Sequence, residues 1–161
     1  MTQTNTETLR IRRYEPADRD AIRTLHDEAL YEVGAHLNDG IWDADLDEIE
    51  AVYLQGGGEF LVGVLDGKIV AMGALRRTSD ERAEITRMRI SPGLQGRGIG
   101  QRLLDDLHRR ARDLGYTTLH LETTVQQRAA QRLYEKNGYV ETGRGMVGPF
   151  RCIYYERDRG G

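Results

Sequence analysis

An α+β fold, a sheet covered by helices, is predicted by three observations. Strand-like and helix-like segments alternate in the order β-α-α-β-β-β-α-β-α-β-β. Asp66-Gly67 separates two strand-like runs, the strongest short signal for a hairpin. Residues 98–114 place Ile99, Leu103, Leu107, Ala111 and Leu114 at helical spacing, which makes a long amphipathic helix. With 161 residues, 39% apolar and 30% charged, the chain makes one domain of ordinary globular composition. A domain of this size buries roughly 70% of the surface its unfolded chain exposes, so its core needs no disulfide or metal staple.

Each element has its own signals. Residues 9–13 read as a short strand, closed by Glu15-Pro16. A helix over 17–32 sets Ile22, Leu25, Ala29 and Val33 near one face. Gly34, Asn38, Asp39 and Gly40 then mark a polar loop, and Asp45 is placed to cap a second helix that runs to about Leu54. Gly56-Gly57-Gly58 stops that helix. Strands over 59–65 and 68–75 form the hairpin, and a turn at Ser79-Asp80 leads to a strand over 83–90. After the loop 91–96 comes the long helix, ended by Gly115. A strand over 117–123, a helix over 127–136 ended by Asn137-Gly138, and strands over 139–142 and 150–156 complete the chain. The domain spans 9–156, and 1–8 and 157–161 read as flexible tails.

Composition removes several classes of function. The net charge of −3 argues against a general nucleic-acid binder. The longest apolar run, 69–75, is far too short to span a membrane, and the polar residues 1–8 lack the regions of a signal peptide, so a cytoplasmic protein is expected. The single cysteine, Cys152, rules out a disulfide framework and reads as a small buried hydrophobe. Neither serine, Ser79 nor Ser91, sits in a GxSxG elbow. His120-Leu-Glu122 imitates half of a zinc-deaminase signature whose cysteine half is missing. His26, His36 and His108 show no metal spacing, and no metal is expected.

The segment that carries chemistry runs from Met88 to Leu104, a strand entering a glycine-rich turn and then a helix. Gly93, Gly96, Gly98 and Gly100 fall close together, and no Ser, Thr, Asp or Asn caps the helix. Its first amides are therefore left without acceptors at the positive end of the helix dipole, where absent side chains let a phosphate approach. No acid lies between Glu84 and Asp105, whereas Arg87, Arg89, Arg97 and Arg102 do, so a polyanionic ligand is expected. A Walker loop fails because Ile99-Gly100 follows Gly98, and a dinucleotide loop fails at Gln101 and Leu103.

What fits is Gln95-x-x-Gly98-x-Gly100. In this motif the chain resembles the GNAT superfamily of N-acetyltransferases. The resemblance extends to Glu84–Ile90, to Leu121-Glu122-Thr123 and to Leu133-Tyr134-Glu135-Lys136-Asn137-Gly138-Tyr139. It implies a mixed, mostly antiparallel central sheet flanked by helices, with the fourth and fifth strands splayed, and acetyl-CoA as co-substrate. The amides of Gly96, Arg97, Gly98, Ile99, Gly100, Gln101 and Arg102 would hold the pyrophosphate, next to Gln95. The backbone of Met88, Arg89 and Ile90 would pair with the pantetheine arm like an added strand. The Met88 N–H would face the thioester carbonyl.

By the same resemblance Tyr134 would protonate the departing thiolate. Gln127 stands where many members carry Asn, at the pantetheine amides. Glu84 is the first candidate for a general base and Glu122 the second, since only a free amine attacks a thioester. Deprotonating an amine of pKa ~10.4 at pH 7 costs about 4–5 kcal/mol, against ~1 kcal/mol for an α-amine. The acceptor would lie between 31–45 and 143–151, with His36, Asn38, Asp39, Trp42, Asp43 and Asp45 in the first of these. A small primary amine is the expected acceptor. A protein N-terminus or lysine is the alternative, and a non-catalytic acetyl-CoA sensor is a third reading. Family members are commonly dimers, so a homodimer is possible.

Overall fold

The computed structural model describes residues 8–32, 34 and 40–158. One seven-stranded sheet runs through it in the order β1-β2-β3-β4-β5-β7-β6. The strands are β1 Arg10–Arg13, β2 Glu59–Leu65, β3 Lys68–Arg77, β4 Arg82–Ile90, β5 Thr118–Thr124, β6 Val140–Val147 and β7 Phe150–Asp158. Only β4 and β5 are parallel; every other pair is antiparallel. Three α-helices cover it: α1 Arg19–Glu32, α2 Ile99–Leu114 and α3 Arg128–Lys136. The expected mixed sheet and hairpin are present, as are three of the four expected helices.

Alternation along the strands sorts the core into two layers. Phe60, Val62, Met72 and Ala74 face Ile22 and Leu25 of α1, together with Leu46, Ile49 and Tyr53. Leu61, Ala71, Leu75 and Ile85 face Leu103, Leu104, Leu107 and Ala111 of α2. Charge also ties the layers together. The buried Glu59 carboxylate takes Arg13 of β1 on both oxygens at 2.9 Å and Arg110 of α2 at 2.9 Å. Burial opposes that charge, but the two guanidiniums and the Phe60 amide outweigh it and hold the carboxyl below its usual range.

Four expectations need correction. The second helix is not one capped helix: Gly40–Asp47 is a 3-10 segment, and Glu50–Leu54 is wound as a π-turn. Asp45 caps nothing because its carboxylate is engaged by Arg87 and the Tyr53 hydroxyl, partners stronger than free amides. β6 runs well past residue 142, since Gly143 and Gly145 leave room for the Tyr154 ring; a Cβ at Gly145 would stand 2.1 Å from its hydroxyl. β7 continues to Asp158, where Arg157 pairs with Leu119 and Asp158 with Thr118, so residues 157 and 158 belong to the sheet rather than to a tail. Val33 of the predicted helix face lies outside the described residues.

His108 of α2 is buried, stacked on Tyr139 at 5.8 Å and hydrogen-bonded to its hydroxyl at 2.8 Å. Burial, with Arg157 adding to it, pushes the imidazole from 6.5 down to about 4. The unfolded chain therefore takes up a proton that the folded chain refuses. This contribution to stability is complete above pH 6.5 and is lost as pH falls toward about 4. Its full size is about 3 kcal/mol. Thermal melts from pH 7 to 4 are expected to fall more steeply for the wild type than for His108→Gln, and equal slopes would show that His108 does not titrate in this way.

Candidate active site

β4 pairs with β5 only at Arg82↔Thr118, Ala83↔Leu119 and Glu84↔His120. Beyond that point the strands part, and β4 continues to Ile90 and β5 to Thr124. A bulge sits in the diverging part of β4. Met72 pairs with Arg89 and Ala74 with Thr86, so Arg87 and Met88 together stand opposite Gly73. The extra residue lies outside the ladder. Gly73 admits the Met88 side chain, since a Cβ there would come within 2.6 Å of the sulfur.

Arg87 takes a left-handed conformation, φ 58°, which costs a non-glycine residue about 1–2 kcal/mol. Its guanidinium is locked in place. Nε donates to Asp45 Oδ2 at 3.0 Å, a second N–H donates to Oδ1, and the Tyr53 hydroxyl donates to the same carboxylate. Burial disfavours the Asp45 charge, yet Arg87 outweighs it and keeps the carboxyl below its usual range. Burial and the Asp45 charge push the Tyr53 phenol up. The lock joins the segment before β2 to the bulge in β4.

A cleft of about 650 Å³ opens on the α2 side of the splay, between the glycine-rich loop and α3. Gln95, Gly96, Gly98, Ile99, Gly100 and Gln101 line it on one side. Gly98 begins α2 with φ 80° and no side-chain cap, and a Cβ on it would meet nothing within 4 Å. The glycine therefore serves the backbone turn and keeps the approach open. The Arg102 amide is not among the free donors, because it bonds Gly98 O at 3.2 Å; the unengaged set at the start of α2 ends at Gln101. The Gln101 side chain is a clamp: it exchanges two hydrogen bonds with Asn137, at 2.8 and 2.9 Å, tying α2 to α3.

The expected block of four arginines is dispersed. Arg87 is held by Asp45, Arg102 bonds Leu9 O at 3.1 Å, and Arg97 is exposed. Arg89 alone of the four reaches the cleft wall, with Nε on His26 Nδ1 at 3.2 Å and Nη1 on Met88 O at 2.9 Å. The opposite wall carries cations that the sequence reading missed: Arg128, Arg132 and Lys136 of α3. Their spacing of four residues was the available signal, a single basic stripe on one helix.

A second cavity, about 470 Å³, lies on the other side of the splay. The two share Met88, Arg89, Gln127, Ala130 and Tyr134 as a common wall. Tyr134 is 4% exposed and packs against the rings of Tyr139 and Tyr155, at 5.6 and 6.4 Å. Burial pushes its phenol up, so the hydroxyl keeps its proton. The Gln127 carbonyl oxygen turns back onto Thr123 and Thr124, accepting three bonds of 2.9–3.2 Å. Only its amide NH2 is then left to meet a ligand.

Glu84 lines the second cavity with Oε1 held by Arg76, at 3.1 and 2.7 Å. Glu122 lines it from β5, and enclosure together with the Glu84 charge pushes its carboxyl up. Of the expected acceptor regions, Asp45, Met146, Val147 and Phe150 are on the wall. His36, Asn38 and Asp39 lie outside the described residues, as do the side chains of Trp42 and Asp43. Among the described residues no three His, Cys, Asp or Glu side chains are grouped to hold a metal ion, and no helix is long and apolar enough to cross a membrane.

A sheet split beside a glycine-rich helix start defines the acetyltransferase class, and comparison with known proteins agrees. Residues 19–139 match the model of the acetyltransferase (GNAT) family, and the chain belongs to that family. An Escherichia coli K12 protein described as the uncharacterized N-acetyltransferase YjgM is 28% identical over 149 residues, 88% of this chain and 89% of that protein. IAA acetyltransferase of Azospirillum brasilense is 38% identical over 92 residues, 56% of this chain and 59% of that protein. Among solved structures, a GNAT-family acetyltransferase from Staphylococcus aureus Mu50 superposes with a TM-score of 0.86 at 22% identity, covering 94% of this chain and 99% of its own. The Salmonella typhimurium putative acetyltransferase yncA, solved with acetyl-CoA, gives 0.76 at 22% identity, covering 94% of each chain.

The Asp45 lock generates a direct expectation. Asp45→Asn removes the charge that receives Arg87 and should lower unfolding free energy by about 2 kcal/mol, with Tyr53→Phe costing about 1 kcal/mol. Urea unfolding measures both, and an unchanged midpoint in Asp45→Asn would remove the lock from the account.

Proposed function

We propose that the chain transfers the acetyl group of acetyl-CoA directly to a small primary amine. The observation that carries this reading is the common wall of the two cavities, where a donor in the cleft and an acceptor in the second cavity meet at Met88 and Tyr134. The cleft fits the coenzyme. Gly96 and Gly98 leave two positions of the loop open, the first amides of α2 suit a pyrophosphate, and Arg128, Arg132 and Lys136 supply positive charge opposite. The unpaired edge of β4 suits an extended pantetheine arm.

Acetyl-CoA supplies an acyl carbon with a thiolate leaving group. The Met88 N–H, which lies in the bulge of β4, donates to the thioester oxygen as negative charge builds there. The Tyr134 hydroxyl donates to the sulfur as the bond to carbon breaks. Its raised pKa keeps the proton on the buried hydroxyl, and the hydrogen bond strengthens as charge gathers on sulfur. A cavity carboxylate accepts the proton that the amine must lose.

Saturating acetyl-CoA should raise Tm by about 5–10 °C at roughly a hundredfold excess over Kd. Gly98→Asp should abolish the shift. Tyr134→Phe should keep the shift and lower kcat for amine-dependent CoA release by roughly 10²–10⁴-fold. Absence of any shift in the wild type would overturn the coenzyme assignment, and an unchanged kcat in Tyr134→Phe would return that ring to packing alone.

A further inference from the structure

Six charged side chains line the second cavity among the described residues, and their pairing limits what the cavity can accept. Asp45 is bonded by Arg87 through both oxygens. Glu84 receives two N–H groups of Arg76 on one oxygen. Arg89 is bonded to His26 and to the Met88 carbonyl. Glu122 stands apart: it is exposed, and its one hydrogen bond among the described residues comes from the weak Cys152 thiol donor at 3.9 Å. Much of the remaining wall is apolar, from Leu30 and Val52 on one side to Met146, Val147 and Phe150 on the other.

We propose that the acceptor is a hydrophobic monoamine, its ammonium group received and deprotonated by Glu122 and its uncharged body lying along Met146, Val147 and Phe150. The proposal rests on the acetyl-transfer reading and names the acceptor class within it. Asp45 and Glu84 each already hold an arginine, and Arg89 is bonded to His26 and the Met88 carbonyl, so Glu122 is the acid left to receive an ammonium group. An α-amino acid would add a carboxylate beside Glu122 and Glu84, facing guanidiniums that are already engaged. A polyamine would press a second cation against Arg76 and Arg87 or against the apolar strip.

Glu122 is also suited to take the proton. The groups facing it are Glu84 of β4, Arg76 of β3, and Cys152 and Tyr154 of β7. Although the residue as a whole is exposed, partial burial of its carboxyl and the Glu84 charge outweigh Cys152 and Arg76 and leave Glu122 the more basic for it. Its oxygen takes one proton from the ammonium group, and the freed nitrogen lone pair forms the C–N bond to the acetyl carbon. The C–S electron pair leaves with sulfur, which takes the Tyr134 proton. The second nitrogen proton restores the Tyr134 hydroxyl as the amide forms, and Glu122 returns its proton to solvent.

The test measures CoA release from acetyl-CoA with 2-phenylethylamine, phenylalanine and spermidine as acceptors, on wild type and Glu122→Gln. Wild-type kcat/KM is expected to be at least about tenfold higher for 2-phenylethylamine than for either of the others. Glu122→Gln is expected to lose about 10²-fold on that amine near neutral pH, with the loss shrinking as pH rises toward the amine's own pKa, ~10. An unchanged acetyl-CoA thermal shift confirms that the variant is folded. Preference for phenylalanine or spermidine, or a Glu122→Gln variant as active as wild type at every pH, would overturn the proposal and leave acetyl transfer standing. No turnover of any of the three amines by a wild type that binds acetyl-CoA would overturn acetyl transfer to small amines, and this proposal with it.

Discussion

The loss of pairing between β4 and β5 after Glu84↔His120 is the constraint on which the rest of the molecule depends. Backbone donors and acceptors in the middle of a sheet need partners, and a gap there is costly unless something else fills it. Here the gap is held open rather than closed. The bulge turns β4 aside, Gly73 yields space to Met88, and the Asp45–Arg87–Tyr53 lock keeps Arg87 in a conformation it would otherwise leave. The start of α2 approaches the gap from one side and α3 from the other, and the Gln101–Asn137 clamp fixes their separation.

Much of this was legible in the sequence because it depends on local chemistry. The Asp66-Gly67 hairpin, the apolar face of α2 and the uncapped glycine start at Gly98 are each written in a few adjacent residues. What was not legible depends on contacts between distant residues. Asp45 reads as a cap beside a helical pattern, and nothing nearby announces an arginine 42 positions later that takes its charge. The full length of β6 was hidden because Gly143 and Gly145 look like breakers until the Tyr154 ring is laid across them. The pairing of Arg157 and Asp158 with Leu119 and Thr118 likewise belongs to the sheet, not to local composition.

Counting charges along the chain found the right region for the wrong reason. Arg87 and Arg102 are held by Asp45 and Leu9 O, Arg97 is exposed, and the donors left for an anion at the loop are chiefly backbone amides. The side-chain cations of the cleft come from α3, where Arg128, Arg132 and Lys136 are interleaved with residues of the core. Pairing also decides the character of the second cavity. Two of its three acids hold arginines, which leaves Glu122 as the acid without one, next to the apolar strip of Met146, Val147 and Phe150.

On the proposed function the acetyl group passes directly through the opening at Met88 and Tyr134, without a covalent stop on the protein. Cys152 makes this testable, because it lines the second cavity and is the one cysteine of the chain. Burial pushes its thiol up, which keeps it protonated and poorly nucleophilic. Initial-rate patterns with both substrates varied, joined to the intact mass of enzyme incubated with acetyl-CoA alone, decide the matter. Direct passage predicts intersecting double-reciprocal lines and an unchanged protein mass. Parallel lines with a protein one acetyl group heavier at Cys152 would contradict it.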